Sequence, residues 1–497
     1  MNSGSKSIVR NSLFGLSTWL LPLLLSFVAT PIIVFSLGNK EYGIYALVLG
    51  FVGYSFNFGV GRSITKYIAQ FRADGTPEKA TKIISATLTL NVLVGVVGGA
   101  IIMLLANWMV SQVFVIEEAD RERAVLAFYF AGLIIFMTMM SQVGNSVLQG
   151  VHRFDVYSWL FNINSIGIIA GNVVLALLDY GMLWLLGWNL FALTLTSVAG
   201  IYYAKKIVPE FNLKLDFSTA AISSSLGFSV WIVGYQILGN ILLLFERGWI
   251  MRKLGPEALT YYVVPLTVGF YIHNFITSIM LVLFPLASEQ KDDRPRLEKL
   301  YRKATKVTCL IIFFIVVSLS VQSRAFLDVW MGPDFAIHST ELLVIHTISF
   351  GCLALLIVAW QLADGIGHPR YNFFVLLICI GISLTGMIMT VDTMANKGIA
   401  LSRLAGFSVM LISIVYSEHW IFGKFDVKFW AKLLASLIPA SAATAVVQYL
   451  LVTGLSASWL LLIGTTVLGG MIYVGLLILF GFVSDDEKSL IKRMLRA

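Results

Sequence analysis

Apolar residues in this sequence neither alternate with polar ones nor form stripes at helical spacing; they run in blocks. Fourteen blocks lie near positions 12–36, 42–61, 83–106, 124–149, 154–178, 181–204, 221–251, 258–287, 305–323, 340–363, 371–391, 397–417, 433–453 and 458–482. Most reach the roughly twenty residues that carry an α-helix across a hydrocarbon core of about 30 Å. A helix satisfies its own backbone polar groups, which lipid cannot do, so each block predicts a transmembrane helix. The fold class is therefore an all-α membrane protein of about fourteen spans. The first block is too long for the core of a signal peptide and precedes no small-residue cleavage site, so it is expected to be retained as a helix.

The blocks repeat. Leu37-Gly38 and Tyr45 recur as Leu254-Gly255 and Tyr262, 217 positions later. Ala80-Thr81-Lys82 recurs as Ala304-Thr305-Lys306 after 224 positions, and Gly150-Val151 as Gly365-Ile366 after 215. Three matches in order, at nearly one offset and at equivalent helix ends, predict a duplication of six spans. Because six is even, the repeats share one orientation and are related by an axis along the membrane normal, with a cleft between lobes. The expected domains are an N-lobe (1–210, spans one to six), a C-lobe (211–424, spans seven to twelve) and a C-terminal helix pair with a tail (425–497).

Charge adds a topology. The chain is 58% hydrophobic and only 12% charged, against about a quarter charged in soluble domains. Its net charge of +8 matters through placement and does not point to nucleic acid. Summing alternate loops puts 26 of the 35 Lys and Arg residues on the side of the two termini. By the positive-inside rule both termini are cytoplasmic, in a multi-pass protein of the inner (plasma) membrane. The most basic loop, Lys291 to Lys306, falls on that face. VIEEADRER (Val115 to Arg123) and SRAFLDVWMGPDF (Ser323 to Phe335) suit the outer surface. No hydrophilic segment is long enough for a soluble catalytic domain. Cys309, Cys352 and Cys379 lie in apolar runs and suggest neither disulfides nor a metal site. No cofactor is expected, and no G-x-x-x-x-G-K-[ST] segment encodes an ATP site.

The segment LGNKEYGIYALVLGFVGYSFNFGVGRSITKYIAQF (Leu37 to Phe71) resembles the signature of bacterial and archaeal oligosaccharide flippases, the polysaccharide export membrane proteins. Glu41, Tyr42, Gly43 and Tyr45 match its "E-Y-G-x-Y" start. Gly59, Lys66, Tyr67, Ile68 and Ala69 match its end, with Asn57 where the family usually has an acid. Gly150, Arg153 and Phe154 resemble the family's "G-x-x-R-[FY]" loop, and FPLAS (Phe284 to Ser288) its Pro motif. The resemblance spans essentially the whole chain. It implies the fold of the multidrug/oligosaccharidyl-lipid/polysaccharide exporter superfamily, with two MATE-like six-helix bundles, and a non-enzymatic function. The implied substrate is a polyprenyl-pyrophosphate-linked oligosaccharide, moved from the cytoplasmic to the outer leaflet by alternating access. Implied partners are that lipid-linked oligosaccharide, membrane lipids, and a polysaccharide polymerase and glycosyltransferases.

Such a substrate needs cations for its pyrophosphate and amides or hydroxyls for its sugars. Ionisable groups within spans cost about 3 kcal/mol each on insertion scales, so each invites a functional reading. Arg62 and Lys66, four apart on one helix face, are candidates to receive the pyrophosphate, against a role as headgroup-snorkelling residues. Arg247 is a candidate phosphate contact and Glu246 a candidate proton or ion-coupling site, against an interhelical ion pair. His273 could bind substrate or carry a proton, against a packing role. Gln236 and Asn240 share a face of span seven and could bind sugars; Gln142 and Asn145 are expected to join helices. Arg403 is a further intramembrane cation. Asp364 is expected in a loop, and Trp108, Trp188, Trp330 and Trp420 in interfacial belts. Two other transporters remain open: a cation-coupled multidrug exporter of the same fold, which needs acids facing an N-lobe cavity, and a peptidoglycan-precursor flippase. A membrane glycosyl polymerase or ligase would need a large outer loop that this chain lacks.

Overall fold

The computed structural model describes residues 3–55, 77–208 and 230–482, with positions 65, 68, 74 and 215; at 3–20, 77–80 and 83 it describes the backbone alone. Among the described residues, twelve helices are long and apolar enough to cross a membrane. Two of these break internally. Gly38 has φ 72° inside helix α1 (Ser3–Tyr54), and Ala395 has φ 47° inside a later helix, Pro369–Met410. The breaks fall between the first and second apolar blocks and between the eleventh and twelfth, which is where the fourteen blocks and the twelve helices differ.

The chain divides into two compact units, 1–260 and 261–497. In the first, α1 is followed by α2 (Pro77–Trp108), which runs into a single wider turn at Met109–Val113, then α3 (Glu118–Gly150), α4 (Phe154–Leu177), α5 (Met182–Ile207) and α6 (Val230–Lys253). The first residues of α7 (Gly255–Met280) complete it. Ser36 donates to the Ala176 carbonyl at 2.7 Å, tying α1 to α4. A buried apolar cluster of Ile84, Leu88, Val143, Val147, Leu160 and Ala204 joins α2 to α5. The expected boundary at 210/211 lies outside the described residues; α6 packs its Arg247 against Gly50 and Tyr54 of α1.

The second unit continues with α8 (Leu283–Glu289), α9 (Arg294–Met331), α10 (Pro333–Gly365), α11 (Pro369–Met410), α12 (Ile412–Phe422), α13 (Val427–Gly454) and α14 (Trp459–Leu479). The C-terminal pair is bound to α9. Cys309, Leu433, Leu437, Ala440, Tyr473 and Leu477 form one buried cluster, and Gln448 donates to Ser318 Oγ at 3.1 Å. Gln322 donates to Thr466 Oγ1 at 3.0 Å and accepts from Thr465 at 2.8 Å. In lipid such packing and interhelical hydrogen bonds hold helices together, since apolar burial gains little there.

Backbone geometry carries the duplication independently of residue identity. Left-handed φ values occur at Gly38 and Gly255, at His152 and Gly367, and at Asp179 and Ala395. These pairs are 217, 215 and 216 positions apart, close to the offsets of 217 and 215 found in the sequence. Gly38 and Gly255 suit that conformation because they lack a Cβ; the non-glycine members hold it through the surrounding fold.

Several local expectations are corrected. The basic segment from Lys291 is a loop only as far as Asp293, whose carboxylate accepts from Arg296 N and caps α9. Pro295 then sits in the first turn, where its missing N–H costs nothing, so Lys299, Arg302, Lys303 and Lys306 are helical. Asp364 belongs to the last turn of α10 and accepts from Asn372 Nδ2 at 2.8 Å. Trp108 and Trp420 are exposed, but Trp330 is buried, and Trp188 donates to the Gly167 carbonyl at 2.8 Å, packing α5 on α4.

Candidate functional site

The second half of α1 carries the start of the matched signature, where Glu41, Gly43 and Tyr45 each have a definable contact; Asn57, Gly59, Lys66, Tyr67 and Ala69 of its end lie outside the described residues. Glu41 Oε1 accepts from Met182 N at 2.5 Å, fixing the first turn of α5; a carboxylate there also complements the helix dipole. At Gly43 α1 meets the head of α7, where Thr260 Oγ1 donates to the Asn39 carbonyl at 2.6 Å. Tyr45 is buried, and its phenol oxygen accepts from Asn172 at 3.2 Å and Asn189 at 3.1 Å, drawing α4 and α5 to α1.

Tyr42, Tyr45, Leu49 and Val52 share one face of α1, at spacings of three and four. That face lines a cavity of about 520 Å³ closed by α3, α4 and α5. The other polar positions on its wall are amides and hydroxyls, among them Gln142, Asn145, Asn164, Asn172, Asn189 and Thr196; among the described residues no Asp, Glu, Lys, Arg or His contributes. Thr196 donates to Asn164 Oδ1 at 2.9 Å, and Asn145 donates to Ser141 Oγ at 3.3 Å. The Oδ1 atoms of Asn172 and Asn189 are buried without a hydrogen-bond partner among the described residues. Gln142 and Asn145, expected to join helices, line this space instead.

Gly43, Gly50 and Tyr54 lie on the opposite side of α1. There Arg247 of α6 packs its aliphatic stem on Gly50 and its guanidinium over the Tyr54 ring, 4.9 Å from the centroid. Arg247 is 6% exposed and Glu246 is fully buried. One Arg247 nitrogen donates to the Leu243 carbonyl of its own helix at 3.1 Å, while Nε has no hydrogen-bond partner among the described residues. A buried guanidinium with donor capacity to spare is suited to an anion, since its forked donors match phosphate oxygens. Gln236 and Asn240, half-buried on α6, share its face at spacings of four and seven.

The remaining candidates divide between the second unit and the undescribed residues. Arg403 on α11 is fully buried and donates to His346 Nδ1 on α10 at 2.5 Å. Its guanidinium lies 5.6 Å from the Tyr262 ring and 5.2 Å from that of Phe350. A guanidinium can only donate, so His346 accepts through Nδ1 and carries its proton on Nε2. His273 faces Thr277 at 3.3 Å on its own helix. Phe270 lies beside both His273 and Phe350 and so stands between the two histidine sites. Arg62 and Lys66 lie outside the described residues. Arg153, matched to the family loop, is engaged by Asp155 through two bonds of 2.9 Å, which hold its pKa above the ordinary guanidinium value.

Sequence reasoning overlooked three sets of groups. Asn164, Asn172 and Asn189 were visible as amides inside spans, the signal that marked Gln236 and Asn240. His346 is an ionisable residue inside the tenth block. Glu418, near the end of α12, is buried and accepts from Tyr301 at 2.8 Å and Trp430 at 2.7 Å.

A family model described as "Polysaccharide biosynthesis protein" matches residues 32–339. A Shigella flexneri protein described as an O-antigen transporter is 22% identical over 368 residues, 73% of this chain and 86% of that protein. Among solved structures, the lipid II flippase MurJ in an inward closed conformation aligns with a TM-score of 0.75 at 14% identity, over 94% of this chain and 98% of that one. An inward-facing multidrug resistance MATE family transporter of the MOP superfamily aligns with a TM-score of 0.69 at 15% identity, over 83% and 98%. At such identities the structural likeness speaks for the fold.

Proposed function

The chain belongs to the polysaccharide biosynthesis protein family, exporters of the MOP superfamily, and from that premise we propose that it flips a polyprenyl-pyrophosphate-linked oligosaccharide from the cytoplasmic to the outer leaflet. The headgroup is exposed alternately to either side while the lipid tail stays in the membrane, and the product feeds surface polysaccharide such as lipopolysaccharide. In this reading the protein sits in the inner membrane with both termini cytoplasmic, an orientation that the distribution of Lys and Arg supports. A polymerase and glycosyltransferases act before and after it. Glu246 and His273 are intramembrane groups through which an ion gradient could act, and Arg403 is a further candidate contact for the substrate.

The observation that carries this reading is Arg247, a guanidinium buried within a span with donors left over for an anion. Phosphate oxygens meet that need, and the relative described as an O-antigen transporter supports a glycan as the cargo. The lining of the first-unit cavity, which holds no carboxylate among the described residues, weighs against the cation-coupled multidrug exporter, which needs carboxylates there. Deleting the gene should leave lipid-linked glycan at the cytoplasmic face; unchanged glycan with new drug sensitivity would instead favour the exporter. Arg247→Ala is expected to abolish surface glycan and Arg247→Lys to restore part of it, because Lys keeps the charge without the fork. Full activity in the Ala variant would remove Arg247 from the path.

A further inference from the structure

We propose that the neutral cavity of the first unit is a sugar subsite, which binds uncharged hydroxyl-bearing rings of the glycan while the phosphates are handled at Arg247 on the other side of α1. This deepens the flippase reading and rests on it. The second half of α1 is the dividing wall: positions 42, 45, 49 and 52 face the cavity, and positions 43, 50 and 54 face α6 and the head of α7.

The cavity's chemistry selects the ligand class. Its volume of about 520 Å³ lies within the roughly 300–1,000 Å³ of ligand pockets. Among the described residues its wall has no cation to neutralise a phosphate and no carboxylate to hold an ammonium group or a coupling ion. An apolar ligand would leave its amides desolvated, at about 1–3 kcal/mol for each unsatisfied group. A sugar ring supplies what is missing, because each hydroxyl both donates and accepts. Gln142 makes no side-chain hydrogen bond to the described residues, Asn164 receives Thr196 on its oxygen and keeps its NH₂ free, and Asn145 keeps its oxygen free. Deeper in the wall, Asn172 and Asn189 spend their NH₂ groups on Tyr45 and retain unpartnered oxygens. Tyr42 and Phe161 offer ring surface to the apolar faces of a pyranose.

The test uses the purified full-length protein in nanodiscs. It is titrated with glucose, galactose, rhamnose and N-acetylglucosamine, and separately with inorganic pyrophosphate. At least one neutral sugar should bind, and Gln142→Leu and Asn164→Leu should each weaken it by about tenfold, the worth of one lost hydrogen bond. Pyrophosphate binding should be unchanged in both. Arg247→Ala should show the reverse pattern. If either leucine variant fails to assemble, the near-isosteric Gln142→Glu or Asn164→Asp replaces it, with the same loss expected because the NH₂ donor is gone. Failure of every sugar to bind, or equal sugar binding in wild type and cavity variants, overturns the subsite. If pyrophosphate binding still depends on Arg247, the flippase reading stands without it. An unchanged leaflet distribution of lipid-linked glycan after gene deletion is the separate result that removes the flippase reading.

Discussion

A Cβ placed on Gly43 would stand 1.9 Å from the carbonyl oxygen of Pro256, a contact no backbone shift of a few tenths of an ångström relieves. Gly43→Ala should therefore lower stability by about 1–3 kcal/mol, the usual cost of overpacking, read as a fall in the melting temperature of the purified protein. Gly53→Ala, with nothing within 4 Å of its Cβ, should be neutral or slightly stabilising because alanine favours helix. Tyr45→Phe removes the one acceptor shared by Asn172 and Asn189 and should cost about 1–3 kcal/mol; a melting temperature equal to wild type would show that the amides find other partners. The signature was legible as a pattern, but its contacts were not. Glu41 meets Met182 from 141 positions away, and no local feature of either segment announces the other.

Between helices, short connections decide geometry that block counting misses. Asp426 caps α13 through Phe429 N at 3.0 Å and pairs with Arg302 of α9 at 2.5 Å; Arg302 also pairs with Glu298. The backbone bond first, and Arg302 after it, hold the Asp426 carboxyl below its ordinary pKa. A folded-state pKa below the unfolded value gives stability that is present above the unfolded pKa, about 3.9, and is lost as the pH falls through the folded value. Asp426→Asn keeps a capping oxygen but removes the charge. Its melting temperature should sit below that of wild type near pH 7 and converge with it toward pH 3; parallel curves would rule out the carboxylate as the cause. The start of α9 differs from the expectation for a related reason. Basic composition suggested a loop, while Asp293 and Pro295 were capping signals in plain view.

At the scale of the molecule, the C-terminal pair divides the two kinds of information most clearly. Hydropathy places α13 and α14 and sets them apart from the duplicated spans, yet their attachment to α9 depends on Gln322 and Gln448 meeting Ser318, Thr465 and Thr466. Gln448→Leu should weaken that attachment by about 0.6 kcal/mol, the average worth of an interhelical hydrogen bond in a membrane. Gly469→Ala should cost more, because its Cβ would lie 2.3 Å from Gln448 Nε2; protease sensitivity of the 455–458 connection in reconstituted protein would report both. By itself the sequence determined the helical class, most of the apolar helices and the family, and its offsets predict the duplication. Lipid requires each span to satisfy its own backbone, so that information is written locally, block by block. Only the tertiary structure decided that Tyr42, Tyr45, Leu49 and Val52 face a neutral cavity while Gly43, Gly50 and Tyr54 meet α6 and α7. How a helix is rotated about its axis is set by packing against its neighbours, and in blocks apolar on every side no stripe of polar residues reveals it beforehand.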